Sequence, residues 1–472
     1  MTQADSLRQA DDSRRPLPLR HAFAVFAGNG LEFYDFVTYG FFAVYIGRTF
    51  FPSDDASLSL LGSLGTFGAG FITRPVGAMI LGPLGDRIGR KPVMVLTFML
   101  MGLGVAGLCL TPSYAQIGIA APILVLIFRL VQGFALGGEV GPSTAYMIEA
   151  APPERRGLYG AMQYLTQDAS TTVAGIVGLI LALKLSEQEL QGWGWRAAMG
   201  IGVVIIPFGL WLRRRLPETM LPPDSAETRV EARPERPNLR ARLAPHMRLI
   251  ICGLLILTAA TIGNYTVEYM TTYALSSLKL SSSIAFGTVI VSGTAGMAMD
   301  LAGGWLSDRF GRKPVMLLPM IALVILILPC FWLINRYPGM ATLYPTSALL
   351  MMLLNLGSIS VLIMLSEQLP MRMRCGAVAI VYAFAVSIFG GSTQFIETWL
   401  IRVSGSPMAP AWYWFGAALV GLAAILLTRE SAPARVKSAS TPLMSPVTTA
   451  STERYRNPVF PAASAAEPVS TE

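Results

Sequence analysis

The feature that most constrains this chain is a series of apolar blocks, each about 20 residues or longer, separated by polar segments. As an α-helix, a block of this length crosses the roughly 30 Å hydrocarbon core of a bilayer. We count twelve such blocks. They lie at about 21–48, 57–84, 92–111, 117–149, 157–183, 193–213, 247–275, 282–306, 314–335, 341–369, 376–402 and 408–428. The sequence therefore predicts an all-α membrane protein with twelve transmembrane helices.

The composition argues against other classes of protein. Of the 472 residues only 14% are charged and 53% are hydrophobic, which leaves too few charges to cover soluble domains. The formal net charge is +8, but Lys and Arg lie in short loops, so we expect no nucleic-acid partner. Four dispersed cysteines and two histidines form no metal-ligand pattern. We expect no metal, no cofactor and no enzymatic activity, since no nucleotide loop or Ser-His-Asp set is found either.

The distribution of basic residues predicts the orientation in the membrane. With the N-terminus placed inside, the inner loops and tails carry 28 of the 36 Lys and Arg residues, and the outer loops carry six. The positive-inside rule then puts both termini in the cytoplasm. The polar, acid-containing N-terminus does not read as a signal peptide. A multi-pass protein with twelve retained spans is expected.

An internal repeat divides the chain into two halves. The segment GPLGDRIGRKPVM at 82–94 returns as GWLSDRFGRKPVM at 304–316, an offset of 222 residues. Each copy follows the second predicted span of its half. Two such halves are typical of a transporter with its substrate site between them, near the membrane midplane. We predict a cytoplasmic tail at 1–20, a six-helix half at 21–213, a cytoplasmic linker at 214–246, a second six-helix half at 247–428 and a disordered cytoplasmic tail at 429–472.

The repeated motif resembles the signature of the major facilitator superfamily. Other stretches are similar to its metabolite:proton symporter branch, namely GNGLEFYDFVTYG at 28–40, RPVGAMILG at 74–82, RLVQGFALGGEVG at 129–141 and WGWR at 193–196. The pattern is most similar to citrate- or tricarballylate-type symporters, partly through IFGG at 388–391. The resemblance spans about 20–430. It implies the major facilitator fold and a lipid-embedded monomer in a bacterial inner membrane that imports a small organic anion with a proton.

Charged residues at the inner ends of the spans are candidate gating residues. The resemblance implies that the motif acid of one half contacts a helix N-terminus of the other half in the outward-facing state, where the helix dipole favours a negative charge. Basic motif residues could pair with acids that end spans 4 and 10. The candidates are Asp86, Arg87, Arg90, Glu149, Asp308, Arg309, Arg312 and Glu367. The same charges could instead serve only to set the topology.

Five charged residues from four spans share a depth near the midplane: Glu32, Asp35, Arg74, Arg129 and Asp168. Each charge inside a span costs about 2.5–3.5 kcal/mol on insertion scales, which indicates a function. Arginine binds carboxylates bidentately, so we predict Arg129 first and Arg74 second as substrate-binding residues. Acids that can gain a proton by desolvation would provide coupling, with Asp35, Glu32 and Asp168 as candidates in that order. A static ion pair within the first half is the alternative.

Span 4 carries two stripes at helical spacing. Arg129, Gln132 and Glu139 share one face, and we predict Glu139 as a further coupling residue and Gln132 as a substrate contact. Gly133, Gly137 and Gly141 form a second stripe that should let another helix approach closely. Neutral hydrogen-bonding residues complete the predicted substrate site: Asn29, Tyr39, Asn264, Asn355 and Tyr382.

Other functions stay open at this point. A symporter of the same fold could carry a zwitterion such as proline or betaine, or a metabolite such as shikimate. A drug exporter is a further alternative, although polar faces of both signs suit a hydrophilic substrate better. A membrane receptor that transports nothing is a third.

Overall fold

The structure is a computed structural model, and it describes residues 30–31, 33–88, 90–137, 156–204, 206–208, 211, 246–369, 378 and 380–431. Within these residues nine helices are long and apolar enough to cross a membrane, and Val95–Leu110 is a shorter apolar helix. We name the main helices as follows: α1 (33–50), α2 (Ala56–Ile88), α3 (Arg90–Leu110), α4 (Ala120–Gly137), α5 (Arg156–Lys184), α6 (Trp195–Gly200), α7 (Met247–Ser276), α8 (Ser282–Phe310), α9 (Arg312–Arg336), α10 (Met340–Gln368), α11 (Ile380–Ser404) and α12 (Ala409–Leu427).

Several helices contain local irregularities. A turn at 359–360 divides α10 into Met340–Ser358 and Val361–Gln368, and Val386–Gly390 of α11 is π-helical. Short pieces precede or follow others: Tyr114–Ile117 before α4, Glu187–Glu189 and the π-helical Leu190–Gly194 before α6, and the 3₁₀ helix Ile201–Val204 after it. Widened and tightened turns of this kind occur often near functional sites and at helix ends.

The predicted all-α membrane architecture is confirmed for the described residues, which contain helices and no strand. Large apolar side chains point outward from the bundle, as Ile72, Met79, Leu110 and Leu318 do with 68–80% of their surface exposed. Exposing apolar faces of this size to water is unfavourable, whereas contact with the hydrocarbon chains of lipids is favourable. The predicted linker, the N-terminal tail and most of the C-terminal tail lie outside the described residues.

Small residues let helices pack closely. A Cβ atom added at Gly133 or Gly137 of α4 would overlap with a backbone carbonyl oxygen of α2, at Gly70 or Arg74 respectively. The predicted role of this glycine stripe is therefore confirmed for these two positions, and Gly141 lies outside the described residues. The two halves also approach through glycines, because a Cβ at Gly391 of α11 would stand 2.9 Å from the carbonyl oxygen of Gly68 in α2.

The bundle has two ends. The junctions α2–α3 and α8–α9, which carry the repeated motif, define what we call the motif end, and the junctions α1–α2 and α7–α8 define the distal end. Between α8 and α9 the chain turns at Gly311, whose φ of 101° is favourable only for glycine. The turn that the motif predicts is thus formed in the second half.

An aromatic cluster lies in the middle of the bundle and joins the halves. Phe36 of α1 contacts Phe67 and Phe71 of α2, with ring centroids 4.8 and 4.9 Å apart. Tyr265 of α7, from the second half, is 5.7 Å from Phe71. The edge-on and tilted geometries are those that aromatic pairs prefer. This cluster separates two polar regions described next.

Candidate functional site

A cavity of about 70 Å³ lies between the two halves. Helices α1, α2 and α5 contribute to its wall from the first half, and α7, α10 and α11 from the second half. Its polar and ionisable lining residues include Arg74, Tyr164, Gln167, Asp168, Asn264, Glu268, Asn355 and Tyr382. Four residues predicted to bind substrate, Arg74, Asn264, Asn355 and Tyr382, line this cavity together with Asp168, which was predicted as a coupling residue.

Arg74 is the cation of the cavity wall. Its guanidinium carbon is 4.0 Å from the ring centre of Phe71 and 4.6 Å from that of Phe36, and the group is also within reach of the Tyr265 hydroxyl. Stacking on aromatic faces fixes the plane of an arginine while its N–H groups stay directed outward. Arg74 is therefore held in a defined orientation at the edge of the cavity.

Arg129 and Asp35 lie together elsewhere, in the interior of the first half. Each is 1% exposed. The Arg129 Nη1 atom donates to Gln132 Oε1 at 2.8 Å, and its guanidinium carbon is 4.4 Å from the Tyr39 ring centre. Neither Asp35 nor Arg129 is part of the cavity wall. The aromatic cluster separates this buried pair from the cavity.

Among the described residues, the Asp35 carboxyl group finds no hydrogen-bond partner at either oxygen. It packs against the turn after α6, where a Cβ atom at Gly202 would stand 3.4 Å from Asp35 Oδ1. Arg129 is the cation whose charge acts on it most directly. A buried carboxyl group without donors is expensive when ionised, which makes Asp35 a position where a proton can bind.

Tyr39 and Gln132, predicted as substrate contacts, are buried with Arg129 and not in the cavity wall. The Tyr39 hydroxyl donates to the Ser63 carbonyl oxygen at 3.2 Å. The side-chain oxygen of Gln132 accepts a hydrogen bond from Arg129. Asn29, Glu32, Glu139 and Glu149 lie outside the described residues. For Asp86, Arg87 and Arg90 the structure describes the helical backbone but not the side chains.

On the second-half side of the cavity, amide groups bind carboxyl groups. Asn264 Nδ2 donates to Glu268 Oε1 at 3.0 Å, one turn along α7. Asn355 Nδ2 of α10 donates to Asp168 Oδ2 of α5 at 2.6 Å and to Asp300 Oδ1 of α8 at 3.0 Å. Glu268 and Asp300 were absent from the predicted site, although their depth in the spans was readable from the sequence.

Most of the predicted gating residues of the second half meet at the motif end. Arg312 forms ion pairs with Asp308 at 2.7 Å and with Glu367 at 3.0 Å. Asp308 Oδ2 also accepts a hydrogen bond from the backbone N–H of Leu158, in the first turn of α5, at 3.1 Å. Arg309 instead lies over the Trp305 ring, with its guanidinium carbon 5.2 Å from the ring centre.

Two contacts at this end had no counterpart in the sequence-based prediction. Glu430 accepts hydrogen bonds from the backbone N–H groups of Arg312 and Lys313 at 2.9 and 3.1 Å. Ser431 Oγ donates to Glu367 Oε2 at 2.9 Å. Residues 429–431 therefore bind the motif end, whereas residues 432–472 of the predicted tail lie outside the described residues.

The distal end also has bridges between the halves. Tyr45 of α1 forms a hydrogen bond of 2.8 Å with Ser282 of α8, and both contact Glu187. Asp55 and Arg402 form an exposed ion pair of 3.0 Å between the α1–α2 junction and α11. Both ends of the cavity are thus bridged by polar contacts in this conformation.

Comparisons with known proteins add the following. The family model described as "Major Facilitator Superfamily" matches residues 25–333, and the model described as "Sugar (and other) transporter" matches residues 234–434. The chain is 35% identical to a citrate-proton symporter of Salmonella typhi over 405 residues, covering 85% of this chain and 91% of that protein. It is 32% identical to a glycine betaine/proline/ectoine/pipecolic acid transporter of Dickeya dadantii, covering 92% and 87%.

Among solved structures, the chain resembles the xylose transporter XylE from E. coli in a partially occluded inward open conformation. The TM-score is 0.68 at 17% sequence identity, with 87% of this chain and 97% of that chain covered. At this level of identity the likeness concerns the fold alone.

Proposed function

Because the chain belongs to the major facilitator superfamily, we propose that it is a proton-coupled symporter that imports a small organic anion by alternating access. The substrate would be a di- or tricarboxylate such as citrate. The chain is a multi-pass protein of the inner membrane and a transporter by family. The observation that carries the proposal is the inter-half cavity, whose wall contains Arg74 and the two carboxyl groups of Asp168 and Glu268.

The charges around this cavity link anion binding to proton binding. Arg74 contributes one positive charge, while Asp168 and Glu268 contribute two negative charges when both are ionised. In a small cavity with few waters, charges interact far more strongly than in bulk water. The ionised cavity would therefore repel an anion. Once the carboxyl groups bind protons, the charge of Arg74 dominates and a carboxylate can bind.

The geometry supports different roles for Arg74, which is half-buried, and Arg129, which is buried. Arg74 is in the cavity wall, so we assign the substrate carboxylate to it. Arg129 is enclosed by Tyr39 and Gln132 and acts on Asp35. In this proposal, a proton binds to Asp35 beside Arg129 in the interior of the first half. The substrate contacts only the cavity residues.

Alternating access would require the halves to separate at one end at a time. A cavity of about 70 Å³ holds about two water molecules, which is less than a citrate ion needs. The contacts of Asp308 at the motif end and of Tyr45 at the distal end are the bridges that would break. We assign the motif end to the cytoplasm because the basic residues concentrate there.

A second candidate substrate class is a zwitterion such as betaine or proline. The cavity wall contains the aromatic rings of Phe33, Tyr265 and Tyr382 beside Asp168 and Glu268. Aromatic faces attract quaternary ammonium groups, and carboxylates would balance their charge. Arg74 could bind the carboxylate of such a substrate equally well. The transporter of Dickeya dadantii, whose name states betaine and proline, is a relative of this chain.

Uptake by proteoliposomes distinguishes these substrates. Purified protein would be reconstituted and supplied with labelled citrate or labelled glycine betaine, with and without an inward proton gradient. We expect citrate to accumulate only with the gradient, and a protonophore to abolish the accumulation. Betaine accumulation without citrate accumulation would transfer the assignment to the second class. Citrate uptake that ignores the gradient would refute proton coupling.

A further inference from the structure

A pair of buried carboxyl groups joins the two halves at the cavity wall, which Asp168 lines. Asp168 belongs to α5 in the first half, and Asp300 belongs to α8 in the second half. They are 7% and 0% exposed, respectively. The side-chain amide of Asn355 donates to one oxygen of each, at 2.6 and 3.0 Å. One neutral amide group therefore donates hydrogen bonds to two acids from opposite halves.

Within the described part of the chain, Asn355 is the donor to this pair, and few other groups stabilise it. Asp300 Oδ2 is buried and accepts no hydrogen bond from a described residue. Among the described residues, neither acid forms an ion pair with a lysine or arginine. The two carboxyl groups are themselves close enough for one to donate to the other when it carries a proton. Two ionised carboxylates here would repel each other with no described lysine or arginine paired to either, whereas one shared proton removes this repulsion and lets one carboxyl group donate to the other.

The packing around the pair is specific to these side chains. Gly296 is one turn before Asp300 on α8, and a Cβ atom there would overlap with Asp168 Oδ2. A Cβ atom at Gly293 would overlap with Thr172 Oγ1, one turn after Asp168. The two glycines thus allow α5 to approach α8 closely enough for the carboxyl groups to meet. Ala or a larger residue at 296 would separate them.

We propose that Asp168 and Asp300 bind one proton between them, as a proton site distinct from Asp35. In the closed form, the O–H of one carboxyl group donates to the carboxylate of the other. When α5 and α8 move apart, the hydrogen bond breaks and the proton passes to water in the cavity, which leaves two separate carboxylates. The role in transport rests on the proposed symport function, but proton binding by the pair does not. The titratable and charged groups around the pair are Tyr164 of α5, Arg74 of α2, Glu268 of α7 and Tyr382 of α11.

Infrared difference spectroscopy tests proton binding without any substrate. Purified protein would be titrated, and the carbonyl stretch of protonated carboxyl groups followed in the wild type, Asp168→Asn and Asp300→Asn. We expect a band that disappears at high pH in the wild type and is lost or displaced in both variants. The matched control is Glu397→Gln, which removes a different fully buried carboxyl group of the second half and should leave this band in place. A wild-type band that persists unchanged in either Asp variant would overturn the shared proton.

A conservative variant covers the case in which an Asn variant does not fold. Asp300→Glu keeps the acid but lengthens its side chain, so the infrared band should shift and not vanish. An unshifted band would count against the pair.

The transport role is tested separately by the reversal potential of citrate flux in proteoliposomes. We expect Asp300→Asn to move one proton fewer per anion than the wild type. An unchanged ratio would reject the transport role. Absence of citrate flux from the wild type would reject citrate symport, while the infrared result would stand.

Discussion

The carboxylate of Asp308, in the second half, accepts a hydrogen bond of 3.1 Å from the backbone N–H of Leu158, in the first turn of α5 in the first half. N–H groups in the first turn of a helix have no partner within the helix, and the helix dipole gives this end a partial positive charge. The same carboxylate pairs with Arg312. Asp308 therefore connects the two halves at the motif end, and this connection must break for that end to open.

Neutralising Asp308 should favour the form that is open at the motif end. Asp308→Asn retains the shape of the side chain but removes the charge that interacts with the α5 dipole and with Arg312. A loss of about 1 kcal/mol would increase the open fraction roughly fivefold. Amide hydrogen exchange at the beginning of α5 would measure this as faster exchange by the same factor. Asp54→Asn, at an exposed acid of the distal end, is the control and should leave that exchange unchanged.

Arg74 and Arg129 should differ in their effect on substrate binding. Arg74→Ala removes the only arginine of the described cavity wall, so the affinity for citrate should fall roughly 10- to 100-fold, as expected for a charged hydrogen bond. Arg129→Ala should instead lower stability, by about 3–5 kcal/mol, because Asp35 then stays buried without its cation. Isothermal titration calorimetry and thermal unfolding of the purified variants measure both effects. Equal losses of affinity in the two variants would contradict the separation of roles.

Depth in the membrane could be predicted from the sequence, but direction around the helix could not. The rise per residue puts Arg74 and Arg129 at similar depths, and in the structure both guanidinium groups lie over the ring of Phe36, at 4.6 and 5.3 Å. Only the tertiary packing decides which arginine meets the cavity. The Gly133 and Gly137 stripe binds α4 to the backbone of α2, and this fixes Arg129 behind the aromatic cluster. A count along one span carries no information on such contacts.

Contacts between distant parts of the chain were likewise beyond the sequence pattern. The repeat predicted two halves, and the motif predicted the meeting of Asp308 with the other half. The sequence around Asp300 does not indicate that Asp168 is its partner, because the two acids belong to different halves. Glu430 lies where the composition becomes polar, and nothing in that composition predicts that it binds the first turn of α9. Single-sequence patterns report local periodicity, and these contacts are not local.

The distal ion pair should not contribute to the pH dependence of uptake. The backbone N–H of Ser57 and, secondarily, Arg402 hold the pKa of Asp55 below its ordinary value. A lowered pKa means that the stabilisation is complete above the ordinary pKa of aspartate, about 3.9, and is lost only as the pH falls through the lowered value. Asp55→Asn should therefore give an uptake profile parallel to the wild type between about pH 5 and 8. Asp168→Asn, measured alongside, should change the shape of the profile; a changed shape for Asp55→Asn would contradict this argument.

The first residues of the C-terminal tail should stabilise the motif end, and the remainder should not be needed for this. Glu430 accepts from two first-turn N–H groups of α9, and Ser431 donates to Glu367. Loss of such a helix cap costs about 0.5–2 kcal/mol. A chain that ends at Ser431 should unfold at the temperature of the full chain, whereas a chain that ends at Thr428 should unfold at a lower temperature. Equal unfolding temperatures for the two shortened chains would show that the cap contributes nothing to stability.

The variant Glu430→Gln in the full chain tests the cap without changing the chain length. A side-chain amide has one acceptor oxygen, whereas the carboxylate has two. One of the backbone amides of Arg312 and Lys313 should therefore exchange faster with solvent deuterium.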